Sequence, residues 1–77
     1  MIDITNARLI ERQHRMMGLG LMAAQIDQIM RATDEMIAKS IADAERAIPA
    51  MSGEKLDRAE KLLKAFEIEA ALRKQGL

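Results

Sequence analysis

Cysteine is absent from this 77-residue chain. Its absence excludes a disulfide framework and any thiolate metal site, and makes an intracellular, cytoplasmic setting the default expectation. Aromatic residues are almost missing too: Phe66 stands alone, without Trp or Tyr, so stacking on bases or sugars has little to work with. No charge of one sign dominates. Twelve basic residues balance twelve acidic ones, which removes the electrostatic footprint of a dedicated nucleic-acid binder. The longest charge-free stretch, Met16 to Ile26, ends at Asp27, far short of the roughly 20 apolar residues that cross a bilayer. Met1-Ile2-Asp3-Ile4-Thr5 has neither a basic lead nor a long apolar core, so no signal peptide is expected.

Catalytic chemistry also has few carriers. His14 is the single histidine, and Ser40 and Ser52 are the only serines. Ser52 reads as a helix cap, and the Ser40 hydroxyl can bond a backbone carbonyl one turn back. Gly18-Leu19-Gly20 lacks the further glycine and the preceding strand of a phosphate cradle. The expectation is a non-enzymatic protein without a cofactor.

What the chain does hold is helical periodicity. Pro49, the only proline, sits in Ile48-Pro49-Ala50-Met51-Ser52 and disfavours helix in the residue before it. Beyond it, Ser52 is expected to cap a helix from about 53 to 75, with Glu54 in its first turn and Gly76 as a left-handed stop. Leu56, Ala59, Leu63, Phe66 and Ala70 recur there in three- and four-residue steps, flanked by Leu62 and Leu72. The opposite side holds acid-first pairs at four-residue spacing, Glu54 with Arg58, Asp57 with Lys61, Glu60 with Lys64 and Glu69 with Arg73.

Upstream, Leu19, Met22, Ile26, Met30, Thr33, Ile37, Ile41, Ala44 and Ile48 keep the same rhythm, with Ile29 and Met36 widening the face. They predict one long helix from about 20 to 48, with Asp27–Arg31 and Glu35–Lys39 as its polar pairs. Two glycines at 18 and 20 argue for a bend ahead of it. A first helical segment is expected over about 6–18, capped by Thr5 and stapled by Ile4 on Leu9.

These elements predict a single all-α domain. It is an antiparallel helical hairpin of two long amphipathic helices joined at 49–52, with a bent or separate N-terminal segment. So short a chain buries only somewhat more than roughly 60% of its unfolded surface, and without disulfides oligomerisation is the available supplement. A helical-bundle homodimer is therefore expected, with Ile26, Met30, Ile37, Ile41, Leu56, Leu63 and Phe66 in its seam.

Three groups of residues invite a functional reading. Glu11 and His14, three apart on one helix, have the spacing of di-iron bundle ligands, but the inward carboxylates that such a centre also needs are not evident, and no metal is expected. Arg8, Arg12 and Arg15 share one side of the first segment and suit phosphates or an acidic partner; Glu11 can pair with Arg15, so a solvated face is the ordinary reading and phosphate contact the weaker one. Met16-Met17-Gly18-Leu19-Gly20-Leu21-Met22 is apolar around most of its circumference, beyond the needs of one contact face. Methionine surfaces repack around varied partners; the ordinary alternative, which weighs somewhat more, is that these residues are simply the core of the oligomer.

The residues thus point to a small regulator, inhibitor or adaptor that binds another protein through Met16, Met17, Leu19, Leu21 and Met22, with Arg8, Arg12 and Arg15 steering an acidic partner. The architecture also suits a structural subunit or a secretion or assembly chaperone. Nucleic-acid contact through the three arginines is the remaining alternative, against which the charge balance and the missing aromatics both argue.

Overall fold

The structure, a computed structural model, describes residues 4–76, with side chains from Ala7 onward. Four α-helices follow one another: α1 Ile4–Met16, α2 Ala23–Arg31, α3 Asp34–Ala47 and α4 Gly53–Lys74. Short 3-10 turns occupy Met17–Leu19 and Ile48–Ala50. Among the described residues there is no strand, and no helix is long and apolar enough to cross a membrane.

The segment expected as one helix from about 20 to 48 is two helices, broken at Ala32-Thr33. Ala32 and Thr33 adopt extended backbone, and the Thr33 hydroxyl accepts the Met36 N–H at 3.2 Å. Asp34 and Glu35 follow in the first turn of α3, where carboxylates face the positive end of the helix dipole. Thr33 therefore serves as a cap and not as a member of the apolar stripe. The carbonyls that α2 leaves open at its end are taken up by Arg73, which donates to Ala32 O at 2.6 Å and Met30 O at 3.2 Å. At the other end of α2, Gln25 accepts the Met22 N–H at 2.9 Å, satisfying a donor that the helix itself cannot.

Two other expected caps differ. Thr5 lies inside α1, which already includes Ile4; the staple of Ile4 on Leu9 involves the Ile4 side chain, outside the described residues. Ser52 stands ahead of α4 in extended backbone, but its hydroxyl makes no capping bond. Gly76 has the left-handed backbone expected of a stop, with φ of 80°.

Helix α4 presents two stripes. The expected one, Leu56, Ala59, Leu63, Phe66 and Ala70, is partly buried throughout. The second, Leu62, Ala65, Glu69 and Leu72, goes deeper, with Ala65, Glu69 and Leu72 in the interior. Both follow three- and four-residue steps, so one helix can meet neighbours on two sides. Glu69, expected on the outward side, is fully buried.

The core gathers Met16, Leu21, Ile26, Ile29, Ile37 and Ala65, with Leu62, Phe66, Ile68 and Ala70 packed against it. Each large side chain fully buried there contributes on the order of 1.5–3 kcal/mol. The core occupies one end of an elongated molecule of 48 × 24 × 17 Å. Helices α3 and α4 pack along one another, while α1 and α2 pack on each other and on α4.

Candidate interaction surface

The turn between α1 and α2 sorts the methionine-rich stretch into inside and outside. Gly20 takes φ of 83°, donates its N–H to Met17 O and reverses the chain. Met16, the last residue of α1, is fully buried, and Leu21 is nearly so. Both are named from the sequence as partner-binding residues, with a core place as the alternative, and both lie in the protein's own core. Leu19 is partly buried and packs on that core. Met17 and Met22 remain outside, 54% and 70% exposed. Of the five apolar residues expected to meet a partner, these two present most surface.

Met22 rims a depression of about 470 Å³ shared with Gly20, Gln25 and Leu62 and walled by the charged Glu54, Asp57, Arg58 and Lys61. Next to it lies a groove of about 310 Å³ lined by Gln25, Gln28, Ile29, Ala32, Met36, Ser40, Leu62 and Phe66. Gln25 and Leu62 border both, so the two form one continuous face. Its floor is Ile29, Leu62 and Phe66, and Met36, 57% exposed, stands on its edge. Charge is absent from the groove's lining, whose polar members are two amides and a hydroxyl. In the sequence Met36 does no more than widen the apolar stripe. The Thr33 break sets it at this edge, and the continuous period from 20 to 48 conceals that break.

The arginine stripe is dismantled by the fold. Arg12 is buried and grips Glu69 with two bonds, Nε to Oε1 at 2.6 Å and Nη2 to Oε2 at 2.9 Å. Its Nη1 donates to Arg8 O at 3.2 Å. Arg15 pairs with Glu11 at 2.7 Å, leaving Arg8 as an exposed neighbour. Arg12 therefore does not steer a partner from the surface. Desolvating a guanidinium is costly unless its donors are met, and Glu69 meets them from α4.

Glu69 also accepts from Arg73 Nε at 2.7 Å, and Arg73 reaches Asp34 at 2.6 Å. Burial alone would lower the Arg73 guanidinium; hydrogen bonds to Glu69 and Asp34 outweigh it and hold it above its ordinary value. A depression of about 460 Å³ opens beside this network, lined by Arg8, Arg12, Asp34, Glu69 and Arg73 among others. Its Arg12 and Arg73 side chains are engaged by carboxylates and carbonyls. Among the described residues, no buried side-chain nitrogen or oxygen lacks a partner, so no interior polar group is left aimed at a ligand. The Glu11 carboxylate, weighed as a metal ligand beside His14, is held by Arg15, and among the described residues no three His, Cys, Asp or Glu gather in a ligand cluster.

The residues expected in an oligomer seam divide along the molecule. Ile26 and Ile37 are in the chain's own core. Met30, Ile41, Leu56, Leu63 and Phe66 are partly buried. The chain matches no family model, and no curated protein or solved structure matches it.

Proposed function

We propose that this chain is a small, non-enzymatic protein-binding module of the cytoplasm, a regulator, inhibitor or adaptor. In this reading α3 and α4 form a helical hairpin, the chain is a homodimer, and a partner protein seats an apolar helix face on the Met22–Met36 surface. One observation carries the reading: Met36, 57% exposed, edges an uncharged groove floored by Ile29, Leu62 and Phe66, and Met22, 70% exposed, rims the adjoining depression, whose far side carries Glu54, Asp57, Arg58 and Lys61. Methionine suits such a surface because its unbranched side chain repacks around different shapes at little cost. Helix-in-groove recognition uses this combination of an apolar floor and adaptable rim. The interior charges are consistent with it, since Arg12, Glu69 and Arg73 are occupied in joining α1, α2 and α4.

The test is capture from the native cell by immobilised wild-type chain and by the Met22→Glu/Met36→Glu variant. Both substitutions lie on exposed positions, so helical circular dichroism is expected to stay unchanged, while a carboxylate buried under a partner costs binding. The expected result is a discrete protein retained by the wild type and weakened by more than about tenfold in the variant, roughly 1.4 kcal/mol. Equal retention by both chains would contradict the reading. A structural subunit that stacks into filaments is separated from this by light scattering, in which mass would rise without limit as concentration increases.

A further inference from the structure

We propose that two copies of the chain pair through the Pro49 end, residues 38–64, with α3 and α4 of one copy laid on α3 and α4 of the other. This rests on the dimer reading above and gives it a surface, the seam of Ile41, Ala44, Ile48, Leu56, Ala59 and Leu63, none of which lines the Met22–Met36 face; Ser40, Lys61 and Leu62 of the same stretch belong to that face instead.

The ground is an imbalance of burial along the chain. Among the described residues, every buried apolar side chain lies at position 37 or before, or at 65 or after. Residues 38–64 include no buried residue at all. Their seam is nonetheless apolar, with Ile41, Ala44 and Ile48 from α3 and its end, and Leu56, Ala59 and Leu63 from α4, each partly buried. At the core end, α1 and α2 supply the further layer that these helices need. Towards the Pro49 end the α1–α2 turn reaches the Glu54–Leu62 side of α4, and no residue of the seam itself is buried by it; two packed helices leave one face of each uncovered.

The chain as a whole exposes 5702 Å², more than the roughly 4,700 Å² of a compact folded monomer of 8.6 kDa. The partly exposed seam is one source of that surplus, and a standard interface needs roughly 800 Å² from each partner. Charge identifies the occupant as a second copy. Residues 38–64 carry six basic and five acidic side chains, a net of +1, with both signs interspersed. An isologous interface brings one patch against itself, so it needs both signs on that patch. A patch recognising an acidic or a basic partner would carry one sign.

Sedimentation equilibrium over a wide concentration range, joined to a mixed-label experiment, tests the proposal. The wild-type chain is expected to reach twice its 8.6 kDa mass, and Ile48→Glu to return it to a single chain with its helical signal retained. Because the sequence lacks cysteine, Ala50→Cys gives one site for a spin label at the Pro49 turn. Mixed with isotope-labelled, unmodified chain, it is expected to broaden amide signals within 38–64. A single-chain mass at every concentration overturns the proposal. So does a two-chain mass with broadening confined to α1 and α2. Met22→Glu/Met36→Glu is expected to keep the two-chain mass, so loss of the groove and loss of the pairing are read separately.

Discussion

Arg12 and Glu69, 57 positions apart, form a two-bond ion pair at 2.6 and 2.9 Å with both side chains almost wholly removed from water. The pair ties α1 to the middle of the bundle, and Arg73 extends it to α2 and α3 through Glu69, Asp34 and the carbonyls that end α2. Desolvation opposes such a pair, so its contribution shows most clearly when one half alone is removed.

Glu69→Ala leaves the Arg12 guanidinium buried without its carboxylate and is expected to cost about 3–5 kcal/mol. Against a total stability of about 4–12 kcal/mol for a chain of this length, that is enough to unfold much of it. Arg12→Met combined with Glu69→Leu removes both charges and is expected to be neutral or stabilising, since apolar replacements of buried pairs commonly are. Thermal unfolding of the single and double variants checks this. A double variant as unstable as Glu69→Ala would show that the site requires charge.

Gly20 and Gly18 lie in the same turn and predict opposite outcomes. Gly20 has φ of 83°, and the nearest atom a Cβ there would meet is Lys61 Nζ at 4.0 Å. Conformation, and not space, therefore makes Gly20→Ala destabilising by roughly 1–2 kcal/mol. Gly18 lies in the 3-10 turn with nothing within 4 Å, so Gly18→Ala is expected to stabilise by about 0.4–1 kcal/mol through the unfolded chain. Denaturant midpoints that move in the same direction for both would contradict the turn described.

The hydrogen bond from Arg15 holds the Glu11 carboxyl below its ordinary range, burial opposing it without prevailing. A carboxyl lowered in the folded state contributes above its unfolded pKa and loses that contribution as pH falls through its folded value. An NMR titration of Glu11 is expected to show a midpoint below 4.5, and Arg15→Gln to raise it towards the ordinary value. A midpoint indifferent to Arg15→Gln would refute the pairing.

Helical class, the Pro49 break, the Gly76 stop and several acid-first pairs are legible in the sequence because each depends on neighbours within a turn. Asp57–Lys61, Asp27–Arg31 and Glu11–Arg15 stand at 3.1, 3.0 and 2.7 Å. The break at Thr33 is written there too, in Thr33-Asp34-Glu35, a start signal for α3, but the apolar period runs across it and conceals it. Glu69 is hidden for a different reason. Its four-residue spacing to Arg73 is that of a surface pair, and their bond does form; only the long-range approach of Arg12 shows that the pair faces inward. The candidate surface is half legible for the same cause. Met17 and Met22 separate from Met16 and Leu21 only once the Gly20 turn has fixed which way each points.

Methionine methyl NMR tests most directly whether the Met22–Met36 face is where this protein meets its partner. The seven methionines provide reporters across the molecule, with the fully buried Met16 as an internal reference. On adding extract of the native cell to methyl-labelled chain, the Met22 and Met36 signals are expected to shift or broaden while Met16 stays in place. Unmoved Met22 and Met36 signals, or changes restricted to Met17 and Met51, would contradict that assignment.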